Sequence, residues 1–438
     1  MRTNLNIQSK RHPSAALPTE ILNDASFSGH LKGLYIENTQ YYNILPTNEG
    51  KTIGVVVQAE PSKMNAFERE IFDLIEKTER AACISDTNKL KRNRVVDHEL
   101  SAEARRSFLA FRLKGEIPGD GSIYNGLFGI QGAEGMKLYE LFIEGGKLSV
   151  AGVRVEPYSL KLDLFSRNTG ILESDIMLNK KALFIGCGSV GSLVAVELAK
   201  AGVGHFMLVD NDIFGYHNIC RHQCGIYDVG RYKTDALADR ILAINPYAEV
   251  KKFNRAIEDV DQDDVLNFCD EDTVIVGGAD NREGDLYACN LGLKAGASFV
   301  SIGCWERAFA GEIFYCLPEG TPTYSDFLAV TGYVSGRVTQ NRRFYTTETD
   351  LEKASFEPGI SADVNFVTIV GVKLILDLLN RDNTGYTQRV LPYLTQYTLV
   401  CNTNDPKIGG EQAEIFSYPL QVTTSIIVPY ADESKNNE

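Results

Sequence analysis

The chain is short of positive charge. Its 44 Lys and Arg stand against 58 Asp and Glu, a formal net charge of −14. That deficit argues against nucleic acid as the main ligand, because phosphate-backbone binding relies on basic surface. The opening residues MRTNLNIQSKRHP lack both an apolar core and a small-residue cleavage site, so no secretory signal is expected and the expected location is the cytoplasm. A membrane span is missing too. The longest apolar candidate near the end, Val364 to Leu379, carries Asn365, Lys373 and Asp377 and falls short of the ~20 residues that cross a bilayer. It reads as a buried helix. No C-x-x-C occurs, and nine cysteines, an odd number, are scattered without a framework. They fit free thiols in a reducing compartment rather than a disulfide scaffold.

What is present is a globular composition: 438 residues, 44% hydrophobic and 23% charged, enough for a large core and more than one domain. Residues 1–163 read as an α+β domain without a ligand motif. KTIGVVVQA is a strand, and NAFEREIFDLIEKTE sets Phe67, Ile71, Leu74 and Ile75 on one helical face. SAEARRSFLAFRL repeats that period, GEIPGDGSIYNG is a loop, and YELFIEGGKLSVAGVRVEP is a hairpin turning at Gly145-Gly146. Residues 164–385 alternate strand and helix patterns, the mark of a doubly wound, Rossmann-like α/β sheet whose ligand lies at the strand carboxyl ends. Residues 386–438, with QYTLVCN and VTTSIIVPY, read as a β-rich tail.

Gly186, Gly188 and Gly191 form G-x-G-x-x-G between the apolar run Ala182–Ile185 and an amphipathic segment. In that strand–turn–helix context the glycines cradle phosphate, but they do not distinguish NAD from ATP. Asp210, nineteen positions after Gly191, suits a ribose hydroxyl in either ligand. The residues farther along favour ATP. Asn218, Arg221 and Lys233 bring two cations to a polar loop and the following helix start, and GGADN sets Asp280 at a strand end, where a carboxylate binds Mg²⁺. A hydride-transfer enzyme has no evident need of that charge.

The combination resembles the ThiF/MoeB superfamily, which includes ubiquitin-activating enzymes. The matching features are GCGSVGS, Asp210 and Asp212 as D-x-D, N-x-x-R at Asn218 to Arg221, G-x-x-K at Gly230 to Lys233, and Asp280-Asn281. PGISADVNFVTIVGVKLILDLL is similar to the family's penultimate helix, and LFSRN to the segment whose arginine reaches into the partner's ATP site. The resemblance implies a homodimer with Arg167 acting in trans. It implies ATP-dependent adenylation of a C-terminal carboxylate, with Arg221, Lys233, Arg167 and Mg²⁺ on Asp280 offsetting phosphate charge. Within the superfamily, N-x-x-R-H and the additional N-terminal domain resemble activating enzymes of bacterial antiphage ubiquitin-like conjugation systems. These imply a ubiquitin-like partner and a conjugating (E2-like) enzyme downstream.

The chain also departs from the family pattern. Where many members carry paired cysteines for structural zinc, it reads TPTYSDF, with Thr323 and Asp326 at the cysteine places, so no such zinc is expected. HNICRHQC crowds His217, Cys220, His222 and Cys224 too closely for a tetrahedral site; it reads as pocket lining, with Cys220 as packing. No H-x-H with a following acid exists, which excludes a JAB-type deubiquitinase. The loop 329–358, where ubiquitin-activating enzymes place their thioester cysteine, holds no cysteine. Either the chain stops at the acyl-adenylate or another thiol serves, Cys304 ahead of Cys316. Rival readings are activation of a sulfur-carrier protein or peptide, an NAD-dependent oxidoreductase, and an inactive docking subunit.

Overall fold

The computed structural model describes residues 14–36, 41–47, 54–84, 125–133, 135–144, 147–158, 163–278, 282–331 and 358–431. The chain divides into two compact units, Met1–Asp163 and Leu164–Glu438.

In the first unit the strands are β1 (Ser14–Pro18), β2 (Gly29–Ile36), β3 (Tyr41–Thr47), β4 (Gly54–Gln58), β5 (Asn125–Gly132), β6 (Gly135–Glu144), β7 (Lys147–Gly152) and β8 (Arg154–Tyr158). They form one mixed sheet in the order β7-β6-β5-β4-β2-β3-β1-β8. Helices are α1 (Thr19–Asn23) and α2 (Ala66–Ile84). The stripe Phe67, Ile71, Leu74 and Ile75 buries α2 against Val55, Val57, Phe128 and Ile130 of β4 and β5. The alternate residues Val56 and Leu127 join Ala15, Leu17 and Leu31 in a second cluster, as the period of two along a strand requires. The segment SAEARRSFLAFRL, the turn Gly145-Gly146 and nearly all of GEIPGDGSIYNG lie outside the described residues.

The second unit runs β9 (Lys181–Ile185), α3 (Ser189–Ala201), β10 (His205–Val209), α4 (Lys233–Ile244), β11 (Glu249–Phe253), α5 (Gln262–Phe268), β12 (Thr273–Gly277), α6 (Arg282–Lys294) and β13 (Ser298–Cys304). It continues with β14 (Ala310–Cys316), α7 (Tyr324–Thr331), α8 (Ser361–Leu379), β15 (Tyr397–Cys401) and β16 (Gln421–Ile426). The sheet order is β11-β10-β9-β12-β13-β14-β15-β16, parallel from β11 to β13 and antiparallel from β13 to β16. Within the residues read as a β-rich tail, β15 and β16 extend this same sheet.

Strands buried on both faces read as continuous apolar runs. Phe184, Phe206, Leu208, Val274 and Val276 pack with α3, α4 and α8 on one side of the sheet. Leu183, Ile185, Met207, Val209 and Ile275 pack with α5, α6 and α7 on the other. The result is an α/β/α sandwich. From β9 the chain winds outward through β10 to β11, then crosses back to β12 on the other flank of β9. The carboxyl ends of β9 and β12 bound the crevice where such sheets take ligands.

Candidate nucleotide site

At the end of β9 the backbone must turn sharply into α3. Gly186 makes the turn at φ 93°, a left-handed conformation that glycine adopts without strain. Gly191 packs the first turn of α3 onto the loop so closely that a Cβ there would stand 2.1 Å from the Gly186 carbonyl oxygen. Gly188 caps α3, and a Cβ on it would meet nothing within 4 Å. Two of the glycines thus shape the loop, while the third leaves space in front of a helix N-terminus, where backbone N–H groups attract anions. Gly278, just past β12, approaches the same turn: a Cβ there would lie 3.5 Å from the Gly191 nitrogen.

Above the loop is a cavity of about 430 Å³ whose lining includes Gly186, Gly188, Asp210, Asp212 and Lys233. The Asp210 carboxylate ties the first two strand ends together. It accepts from the Cys187 N–H at 2.7 Å through Oδ2 and from the Asp212 N–H at 2.7 Å through Oδ1. Burial pushes its carboxyl above the usual range, opposed chiefly by the positive charge of Lys233. Lys233 opens α4, and its side chain is only 10% exposed. Its ammonium lies 2.5 Å from Asp212 Oδ2, and its backbone N–H donates to the Asp212 carbonyl at 3.0 Å. Asp212 is thus the partner of the lysine.

The other proposed site residues are dispersed. Asn218 turns inward to accept from the Gly215 N–H at 2.8 Å, closing a tight turn. Arg221 lies beside the entry to α8: a Cβ on Gly359 would stand 3.8 Å from its guanidinium. Neither residue lines the cavity. In LFSRN, Phe165 is buried and Asn168 donates to the Lys200 carbonyl at 2.9 Å, an anchoring that leaves Arg167 exposed. Asp280 and Asn281 lie outside the described residues.

HNICRHQC departs from expectation in two respects: none of its residues lines the cavity, and Cys220 is exposed, its thiol donating to the His217 carbonyl at 3.3 Å, and so is not packing. His222, set aside as a metal ligand in the sequence, is buried, packed edge-on to Phe214 and bonded to the glycine loop. Among the described residues no group of three or more His, Cys, Asp or Glu is arranged to hold a metal. Thr323 and Asp326, at the zinc-cysteine places, form a reciprocal cap at the start of α7. Thr323 N–H donates to Asp326 Oδ2 at 2.8 Å, and Asp326 N–H to Thr323 Oγ1 at 3.3 Å.

Cys304 is half-buried at the carboxyl end of β13, paired in register with Gly311. Cys316 is fully buried, 3.7 Å from Cys289 Sγ, which leaves it no access to a reacting group. Two further residues had no motif to betray them. Glu312 is buried on β14 and accepts from Trp305 Nε1 at 3.1 Å and Tyr397 OH at 2.9 Å. It also pairs at 3.3 Å with Arg282, the first residue of α6, and so anchors the helix that follows Asp280 and Asn281.

A doubly wound sheet with a phosphate-shaped glycine loop, a strand-end carboxylate and a buried lysine defines a Rossmann-like nucleotide-binding domain. The ThiF family pattern matches residues 161–407, more than half of the chain, and the chain belongs to that family. It is 27% identical over 146 residues to a probable molybdopterin-synthase adenylyltransferase of Porphyra purpurea, covering 33% of this chain and 37% of that protein. It is 27% identical over 190 residues to ubiquitin-like modifier-activating enzyme 5 of Caenorhabditis elegans, covering 41% and 44%. The chain thus spans less than half the length of these relatives. Among solved structures, E. coli MccB with ATP overlaps 59% of this chain and 67% of its own, at a TM-score of 0.42 and 17% identity. Among the described residues no helix is long and apolar enough to cross a membrane.

Proposed function

We propose that this chain uses ATP to adenylate the C-terminal carboxylate of a ubiquitin-like protein. The observation that carries this reading is the buried Lys233 in the lining of the glycine-loop cavity, a cation beside a loop shaped for phosphate. The carrier carboxylate attacks the α-phosphorus, the bond to the β-phosphate oxygen breaks, and pyrophosphate leaves with the displaced electron pair. The chain's own groups position and neutralise: α3 N–H groups and Lys233 meet the phosphates, and Asp210 takes the ribose hydroxyls.

Arg221, which lies beside the entry to α8 outside the cavity lining, and Arg167, from a second copy of the chain in a homodimer, are the further cations assigned to the phosphates. Mg²⁺, held by Asp280 with Asn281 beside it, would offset charge on the triphosphate. Cys304 is the candidate acceptor if the acyl group passes to a thiol and then to a conjugating enzyme. The N-x-x-R-H sequence and the additional first unit support a place in a bacterial phage-defence conjugation pathway. Activation of a sulfur-carrier protein follows the same chemistry. Mixing the protein with ATP, Mg²⁺ and a ubiquitin-like protein ending in glycine should release pyrophosphate; none from any such carrier refutes the reading.

A further inference from the structure

Three adjacent strand ends line the cavity, and each contributes a different chemistry. The end of β9 gives the glycine loop, the end of β10 gives Asp210, and the segment after β11 gives Arg255 and Glu258. Since β10 lies between β9 and β11, phosphate and sugar positions are followed, one strand further out, by the Arg255 segment. Two strand spacings amount to about 10 Å, the reach from an α-phosphate across a ribose to the base.

That segment is fixed from beneath. Ile257, 2% exposed, packs into the core among Val209, Val260 and Ile275, so the charged residues on either side of it are held at the cavity wall. Both Arg255 and Glu258 are exposed, and among the described residues neither side chain has a hydrogen-bond or ion-pair partner. The contrast with Lys233 is direct, since that cation is already occupied by Asp212.

We propose that Arg255 and Glu258 clamp the nucleobase, Arg255 laying its planar guanidinium against the purine and Glu258 accepting a hydrogen bond from the adenine amine. This rests on the ATP reading of the same cavity. A guanidinium suits a ring face because it is flat, delocalised and weakly hydrated. Guanine presents a carbonyl where adenine presents the amine, which sets two acceptors against each other at Glu258.

Calorimetric titration with ATP, GTP and inorganic tripolyphosphate, each with Mg²⁺, tests the clamp. Arg255→Ala should weaken ATP and GTP roughly tenfold each and leave tripolyphosphate unchanged. Arg255→Lys, which keeps the charge and loses the plane, should recover only part of the affinity lost in Arg255→Ala. The wild type should prefer ATP to GTP, and Glu258→Gln should narrow that preference. Equal weakening of tripolyphosphate, or full affinity in Arg255→Lys, would make Arg255 a phosphate contact and overturn its half of the clamp. An ATP preference that is absent, or that survives Glu258→Gln, overturns the other half. A wild type that binds no ATP overturns the nucleotide reading itself, a result distinct from a wild type and an Arg255→Ala variant that bind it equally.

Discussion

His222 donates through Nε2 to the carbonyl oxygen of Cys187 at 2.7 Å, joining the loop after β10 to the glycine loop after β9. Its Nδ1 accepts from the Cys224 N–H at 3.0 Å, so the ring is neutral with its proton on Nε2. Burial pushes the imidazole down to about 4. In the unfolded chain it takes a proton near pH 6.5, so as pH falls from there toward 4 the unfolded state gains protons first. Stability contributed by His222 is therefore complete above pH ~6.5 and declines by roughly 3 kcal/mol toward pH ~4. Asp210, raised by burial, works in the opposite direction, so the comparison of interest is between the wild type and His222→Gln. Denaturant unfolding at about pH 7.5 and about pH 4.5 should find a smaller fall in the variant. Equal falls would remove His222 as the source.

The glycines should separate by role. Gly191→Ala forces a methyl against the Gly186 carbonyl, 2.1 Å away, and should destabilise the fold by roughly 1–3 kcal/mol or more. Gly188→Ala meets open space, so thermal unfolding should shift by no more than about 1 kcal/mol while ATP affinity falls about tenfold or more. A Gly188→Ala protein that binds ATP normally would show that phosphate does not approach this helix end.

Lys233 should matter for activity more than for folding. Its partner Asp212 has a side chain 63% exposed, so losing the lysine leaves a hydrated carboxylate and should cost less than about 1 kcal/mol. Lys233→Met keeps most of the aliphatic stem and should lower carrier-dependent pyrophosphate exchange on the order of 100-fold. A melting curve and an exchange assay on one preparation check both halves.

Arg167 lies exposed on a segment anchored by Phe165 and Asn168, which suits a residue that works outside its own protomer. Arg167→Ala and Asp280→Ala should each be inactive alone and regain part of the activity when mixed, because one site of the mixed dimer keeps both residues. Activity that does not recover on mixing places Arg167 and Asp280 in the same protomer's site or in none.

Much of this was legible in the residues. ALFI, FMLV and VIV are apolar without interruption because their strands are covered on both faces, and the helical stripes between them fix the winding. Chemistry carried by isolated residues was not legible. Glu312 is one acidic position in an otherwise apolar strand, and only the convergence of Trp305, Tyr397 and Arg282 reveals its task. β11 reads EVKKF and is largely exposed, so no apolar run announced it, and Arg255 and Glu258 beyond it passed unnoticed. Asn218 shows the converse: it matches its motif, yet its carbonyl closes a local turn.

The most direct test is exchange of radiolabelled pyrophosphate into ATP in the presence of ubiquitin-like proteins ending in glycine, with wild type and Asp280→Ala side by side. Adenylation predicts carrier-dependent exchange by the wild type and none by the variant. No exchange with any carrier would contradict adenylation, and equal exchange by both proteins would remove Asp280 from the site.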